Sequence, residues 1–582
     1  MRKELTADSP LDHVPDENVD GPVPSPGETP ADDAAADDVV PGRRLAGARR
    51  AAGWAATALA GLLVLGALLF PHKVGRLTPG AFARVPVEGV LLVALVVIVP
   101  ARARRTVAVL AGAAIGVMTI VKVVDMGFYQ VLARPFDPVL DWVLIGSGVE
   151  FLDSSFGRAG AIAAVIGIVL LAAALLVLMA LSVLRLARLV VRYNATATAT
   201  VGVAGTVWIV CAALGAQVVP GVPVAARNTA GLTLAHTRQV HASLLDRRAF
   251  AEQAAVDAFR GTAGADLLRG LRGKDVLLAF VESYGRDAVE DPLFARQVGA
   301  VLDDGTRRLR AAGVGARSGW LTSPTAGGSS WLAHSTLLSG LWIDNQQRYR
   351  SLVSSDRLTL NQAFRRASWR SVAVVPGVTR AWPEGDFFGY DRVYDANNLG
   401  YRGPRFSFAT MPDQYTLAAF ERLEREKPDH APVLAEIPLV SSHAPWAPLP
   451  RLIDWKDVGD GSVYHPIAAA GERRAAVWRD PARIRTEYRR SIEYTLGTLV
   501  SYVETHGDDD LVLVFVGDHQ PLPVVTGEGA GRDVPITIVA RDKAVLDRIS
   551  GWGWQDGLKP GPNVPVWPMH AFRDRFLTAF SR

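Results

Sequence analysis

The chain has 582 residues, more than one compact domain ordinarily holds, and a formal net charge of only +4. So small an excess, not gathered into one basic field, excludes a dedicated nucleic-acid binder. The single cysteine, Cys211, lies in an apolar run, which excludes a disulfide framework and a structural zinc site of the cysteine type.

Residues 1–42 mix acids (Asp32, Asp33, Asp37, Asp38) with prolines (Pro22, Pro24, Pro26, Pro30) and show no apolar period, so they read as a disordered acidic cytoplasmic tail. The acidic start, far from any apolar core, argues against a cleaved signal peptide. Five segments, near 51–71, 83–100, 105–127, 159–184 and 197–219, are apolar enough to cross a bilayer, giving a transmembrane domain with five helices over 43–220. The second is the shortest, and the third carries Lys122 and Asp125 near one end. Arg43 to Arg50, then Arg102, Arg104 and Arg105, then Arg185, Arg188 and Arg192 fall on one side if the N-terminus is cytoplasmic. An odd number of crossings then places everything after about residue 220 outside the cell. The long loop at 128–157 is expected on that outer side, with Trp142 suited to the membrane interface. Residues 221–272 read as a connector with helical character.

From about 273 to 582 the pattern becomes that of a soluble domain. Strands are expected at 276–281, 371–375, 433–440, 511–516 and 534–539, and helices at 287–311, 329–340, 359–368, 413–425, 484–505 and 570–580. Nearly continuous apolar strands between helices imply a mostly parallel sheet covered on both faces, with ligands beyond the C-terminal ends of the strands.

Three of those ends carry chemistry. VLLAFVES ends in Glu282 and Ser283, PLVSSHAPW brings His443, and LVFVGDHQP brings Asp518 and His519. Glu282, Asp518 and His519 make an oxygen, oxygen, nitrogen set suited to Mn²⁺ or Zn²⁺, and less naturally to Mg²⁺. The segment SPTAGGSSWLAHSTLLSG offers a nucleophile: Gly327 and Gly328 permit a tight turn, and Ser329 and Ser330 open a helical run. Taken alone, either serine reads more simply as a helix N-cap. Other residues carry less: Asp391 and Asp413 fit turns or helix caps, Tyr284, Trp331 and Trp446 suit cleft or core, and His334 falls one turn after Ser330.

Taken together, Glu282 after the first strand, the Gly328-Ser329-Ser330 turn, His443 after a later strand and Gly517-Asp518-His519 resemble the alkaline phosphatase and sulfatase superfamily. The branch they resemble is the lipoteichoic acid synthase and phosphoglycerol transferase group, which also carries membrane crossings before an external enzyme domain. The resemblance covers about 275 to 541. It implies a metal site of Glu282, Ser330, Asp518 and His519, with Ser330 as nucleophile in place of the usual threonine. It also implies His443 near the phosphoryl group or leaving oxygen and Trp382 beside the substrate headgroup. Where the synthases carry Phe-Trp-Asn-Arg, this chain reads Ala381-Trp382-Pro383-Glu384, so the arginine that holds glycerol phosphate is absent, and Arg380 or Arg286 is left to compensate. Formylglycine chemistry is not expected, because the Cys-x-Pro-x-Arg signature is missing, and one metal fits better than two.

The expected architecture is therefore a multi-pass α-helical membrane domain followed by an extracellular α/β domain of alkaline phosphatase/sulfatase type. The expected activity is a Mn²⁺-dependent transfer of phosphoglycerol or a related headgroup, through a serine-linked intermediate. The donor would be a membrane phospholipid and the acceptor a cell-envelope polymer, glycan or glycolipid. Two alternatives stand beside it: a hydrolase of phosphodiesters or sulfate esters, and an inactive membrane scaffold or sensor.

Overall fold

The structure, a computed structural model, describes residues 41–581 apart from Gly221, Ser407 and Pro428. The acidic tail lies outside the described residues save for its last two positions, which open α1 (Pro41–Leu69). Met1–Ala56 forms a unit of its own, and Thr57–Arg582 forms the other.

Among the described residues, four helices are long and apolar enough to cross a membrane: Gly47–Leu69 within α1, α3 (Ala101–Leu132), Gly157–Arg192 within α4 (Trp142–Arg192), and α5 (Asn194–Leu214). The segment read as the second crossing forms only the 12-residue α2 (Val87–Ile98). At 1.5 Å per residue it spans about 18 Å, short of a typical hydrocarbon core. The chain nevertheless runs from one end of the bundle to the other through it. The two-residue strands Val85–Pro86 and Ala225–Ala226 pair in parallel, which puts the start of α2 beside the chain leaving α5. Only Val99 and Pro100 separate α2 from α3. At the opposite end, Arg185 Nε donates to Thr57 Oγ1 (2.9 Å).

The end of the bundle where α1 and α3 finish is held by the two charges noted in the third crossing. Lys122 Nζ donates to the carbonyls of Ala67 and Leu68 (2.9 and 3.1 Å) and to Thr229 Oγ1 (2.8 Å). Asp125 accepts from Phe136 N (2.9 Å) and pairs with His236 Nε2 (3.1 Å). Both side chains are almost fully buried, so their polar partners are what makes their burial tolerable. Thr229 and His236 lie on α6 (Asn228–Ala255), the helical part of the connector. The stretch expected as a loop at 128–157 is largely helical. The chain turns at Ala133–Asp141, with Arg134 paired to Asp141 (2.7 Å), and α4 then runs to a break at Gly157 (φ 73°).

The soluble domain is built on a nine-stranded sheet among the described residues. Its strands are β1 (Asp275–Val281), β2 (Gly315–Thr322), β3 (Arg370–Val375), β4 (Arg392–Asp395), β5 (Val433–Leu439), β6 (Leu511–Gly517), β7 (Asp533–Ala540), β8 (Gln555–Asp556) and β9 (Val566–Pro568). Their order is β8-β2-β7-β6-β1-β5-β3-β4, with β9 beside β2. The run β6-β1-β5-β3-β4 is parallel, and β7 is antiparallel to both neighbours. Every residue of β1 and β6 is buried, as strands covered on both faces require. One face carries Leu277, Ala279 and Val281 into a core with α11 (Pro481–His506). The other carries Val276, Leu278 and Phe280 into a core with α8 (Ser330–Ser339) and α12 (Ala571–Ser581). Between these come α7 (Ala295–Ala311), α9 (Gln346–Val353) and α10 (Leu360–Arg366).

The helical and soluble parts of Thr57–Arg582 come close at the turn before α8, among other places. Gly327, in the turn before α8, has φ +74°, and a Cβ there would lie 2.0 Å from the carbonyl oxygen of Val131 near the end of α3. Leu132 packs on Gly328 next to it. Gly273 has a similar φ, +78°, but open space around it, so it carries the backbone strain without the contact. Gly327→Ala should therefore cost about 1–3 kcal/mol more than Gly273→Ala, read as the difference in thermal or denaturant stability of the full chain in detergent.

Candidate active site

Three parallel neighbours, β6, β1 and β5, end at the same edge of the sheet, and each delivers a polar group as its apolar run stops. Glu282 follows β1, Asp518 and His519 follow β6, and His443 follows β5 by a turn. Ser330 arrives from a different direction, at the first position of α8. Ser329 before it has φ +65°, an uncommon conformation for a residue with a Cβ, and its side chain does not cap the helix. The turn is pinned to the Asp518–Gln520 loop by Gly327 N donating to Gln520 O (2.8 Å).

Ser330 Oγ donates to Glu282 Oε2 (2.9 Å) and lies 3.2 Å from His519 Nε2. His519 Nε2 is 3.4 Å from Glu282 Oε1 and 3.5 Å from Asp518 Oδ2. His519 Nδ1 donates to the Gln520 carbonyl (2.8 Å), which leaves Nε2 as a lone-pair donor aimed at the carboxylates. Asp518 Oδ1 accepts from Ser283 N (2.8 Å) and His519 N (2.7 Å), whereas its Oδ2 is buried with no hydrogen-bond partner. Ligand atoms of Glu282, Asp518 and His519 all lie within 4.8 Å of one another. An orphaned buried carboxylate oxygen, a second carboxylate, an imidazole lone pair and a hydroxyl facing one point fit a divalent cation.

The electrostatics agree with that fit. Burial pushes the Glu282 carboxyl up, but His443 and His519 beside it and the hydrogen bonds it accepts outweigh this and hold it below the usual carboxylate range. Burial and the charge of Glu282 push Asp518 well above the usual carboxylate range. Burial lowers His519, which favours the neutral, ligating form of its ring. Two adjacent desolvated carboxylates disfavour being ionised together, and a dication is what would hold both as anions.

His443 is not part of that cluster by contact, but it is close enough to lower Glu282. Its ring stacks on Phe408 (3.8 Å between centroids), and Nδ1 is tied to the Ala444 carbonyl. Asp413 supports this loop from below. Asp413 N donates to Ser441 Oγ (3.0 Å), and its carboxylate accepts from Ser441 N (2.9 Å) and Thr495 Oγ1 (2.7 Å). Asp391 accepts from Ser371 N (2.8 Å), a loop-holding role. Tyr284 and Trp446 are buried in the core, while Trp331 is partly exposed beside Ser330.

The three residues expected at the headgroup are not drawn into the cluster. Trp382 lies 5.8 Å from the rings of Phe388 and Tyr390, and Arg380 is exposed on the turn before it. Arg286 pairs with Glu290 (2.7 Å) and Asp533 (3.2 Å) and lies over Trp320 (4.6 Å), so its donors are committed to those groups. Sequence reading did not single out Glu436, which sits in the middle of the apolar strand β5 and is almost fully buried. The signal available was an acid inside an apolar run, since such a group needs partners.

No family model matches the chain, and no curated protein does. Solved structures do show a likeness. One is the lipoteichoic acid synthase LtaP from Listeria monocytogenes, at 14% identity and a TM-score of 0.34, covering 47% of this chain and 66% of that one. Another is the C-terminal periplasmic domain of EcEptC from Escherichia coli, at 12% and 0.36, covering 53% and 82%. A third is the Streptococcus pyogenes phosphoglycerol transferase GacH in complex with sn-glycerol-1-phosphate, at 12% and 0.33, covering 58% and 91%. Likenesses this low assign neither activity nor residue roles to this chain.

Burial raises the Asp413 carboxyl to about 6, above its unfolded value, so the folded state binds that proton more tightly. Stability should then fall as pH rises from about 4 through 6. Asp413→Asn, which keeps one acceptor for Ser441 N, should flatten that slope, shifting Tm at pH 8 by about 2–4 °C relative to wild type. Asp518→Asn should weaken divalent-cation binding by about 100-fold, read by calorimetry on the full chain.

Proposed function

We propose that the chain is a membrane-anchored transferase. It moves the phosphoglycerol or a related headgroup of an anionic phospholipid onto Ser330 and then onto a cell-envelope acceptor. The observation that carries this reading is the position of Ser330 Oγ. It lies 2.9 Å from Glu282 and 3.2 Å from His519, beside the orphaned Asp518 oxygen, on a turn seated against the end of α3. A nucleophile so placed meets a substrate lying in the bilayer.

Glu282, Ser330, Asp518 and His519 would hold one divalent ion, Mn²⁺ in this reading. When bound, it supplies charge neutralisation at the phosphoryl oxygens and a lowered pKa for the serine hydroxyl. The remaining chemistry belongs to the chain. Ser330 Oγ attacks phosphorus, its proton leaving along the hydrogen bond to Glu282. The ester bond to diacylglycerol breaks, and the departing oxygen takes a proton from His443, whose tethered Nδ1 leaves Nε2 for that task. The first turn of α8 offers backbone N–H groups to the phosphoryl oxygens. An acceptor alcohol then attacks phosphorus and gives its proton to His443, the bond from phosphorus to Ser330 Oγ breaks, and Oγ takes its proton back along the hydrogen bond to Glu282.

Arg102, Arg104, Arg105, Arg185, Arg188 and Arg192 occur in the segments at the bundle end away from the soluble domain, which supports a cytoplasmic placement of that end and an outward-facing site. The test uses the full chain in vesicles of labelled phosphatidylglycerol with Mn²⁺. Diacylglycerol release and a phosphoglyceryl adduct are expected, both lost in Ser330→Ala and on chelation. Metal binding without release or adduct would remove phosphatidylglycerol as donor. Release that goes entirely to water, whatever alcohol is added, would make the chain a hydrolase.

A further inference from the structure

Glu436 lies in the centre of β5, in register with Leu278 of β1 and Ala373 of β3, and is 3% exposed. A carboxylate at that depth is costly unless it holds something in place. Three groups converge on it. Tyr390 donates its hydroxyl and Asn361 Nδ2 donates at 3.3 Å, both to Oε2, while His334 Nδ1 stands 3.4 Å from Oε1.

His334 is four residues past Ser330 on α8, so it lies on the same helix face, about 6 Å further along. Its ring lies flat on Phe280, with centroids 3.8 Å apart and planes 16° apart. Phe280 is two residues before Glu282 and shares its face of the sheet. Stacking therefore fixes the plane of the imidazole, and the carboxylate at Nδ1 favours the proton on that nitrogen. Nε2 is left as an acceptor. Among the described residues it has no hydrogen-bond partner, and the side chain keeps 15% of its surface open. Tyr390, already committed to Glu436, and Trp382, 5.8 Å from Tyr390, form an aromatic wall on the same side.

We propose that His334, oriented by Glu436, is the specificity-determining residue for the headgroup that stays on Ser330. Its Nε2 accepts a hydrogen bond from a hydroxyl carried about one helical turn from the phosphorus. The group recognised is a neutral polyol such as glycerol, since Glu436 disfavours a second anion at that place. This rests on the headgroup-transfer reading and names what that reading leaves open. It also gives the polar end of the substrate a partner where the expected arginine is replaced by Glu384.

The test is a binding comparison on the Mn²⁺-loaded full chain in detergent micelles. Calorimetry would set glycerol 1-phosphate against propyl phosphate, which has the same length without the hydroxyls. Wild type should prefer glycerol 1-phosphate by about 10-fold or more. His334→Phe, which keeps the stack on Phe280, should lose that preference while binding propyl phosphate as before. Glu436→Gln should reduce it in the same direction and serves as the second variant should His334→Phe lower Tm or Mn²⁺ affinity. A preference that survives both substitutions, an equal loss for both ligands, or no preference in wild type would overturn the assignment. Failure of diacylglycerol release in the vesicle assay would instead sink the transfer reading, and the two results are read separately.

Discussion

Two carboxylates, Glu282 and Asp518, are buried side by side at the ends of adjacent parallel strands, and the rest of the site is arranged around that repulsion. The register of β1 and β6 brings Val281 and Gly517 level, so the residues after them meet at one edge. Gly517 is required by that closeness, because a Cβ there would lie 1.8 Å from the Tyr284 carbonyl. Backbone N–H groups from Ser283 and His519 satisfy only one oxygen of Asp518. The site is thus built by the fold to concentrate negative charge and lone pairs at a point. That is poor design for a core and good design for holding a cation against a hydroxyl.

The same arrangement explains how Ser330 is placed. A serine at the first position of a helix is mobile unless the turn before it is constrained. Here the turn is closed from two sides: Gln520 O takes the N–H of Gly327, and the end of α3 fills the space where a side chain would stand. The second restraint comes from a helix long and apolar enough to cross a membrane. That helix end is in turn tied to α1 and α6 by Lys122 and to the following turn and α6 by Asp125. These long apolar helices therefore act on the geometry of the turn that carries Ser330 as well as on its location.

Much of this was legible because the signals were local. The apolar runs of β1, β5 and β6 marked both the strands and their polar ends, and the glycine pair before Ser330 marked the turn. What was not legible depended on partners distant in the chain. The sequence GARSGWLT of β2 lacks a continuous apolar run, and its pairing with β7, β8 and β9 is what makes it a strand. The short β4 is an edge strand whose sequence, RVYD, carries no strong period. Helix α2 looked like an ordinary crossing because its flanks are apolar, yet its start is set by a two-residue pairing with Ala225–Ala226. Arg286 looked available for an anion until Glu290 and Asp533 were brought beside it.

Two histidines, to which the proposed reading gives different tasks, show how far local reading reaches. His443 and His334 each stack on a phenylalanine at 3.8 Å and each have Nδ1 facing an oxygen, so both expose Nε2 as the working atom. They differ in what stands behind that oxygen. A backbone carbonyl behind His443 leaves the ring able to take and give protons, as a leaving or entering oxygen needs. A buried carboxylate behind His334 favours one tautomer, as recognition of a fixed hydroxyl needs. The sequence showed both histidines, one after a strand and one a helical turn past the serine. Only the burial of Glu436 distinguishes the one suited to chemistry from the one suited to choice of substrate.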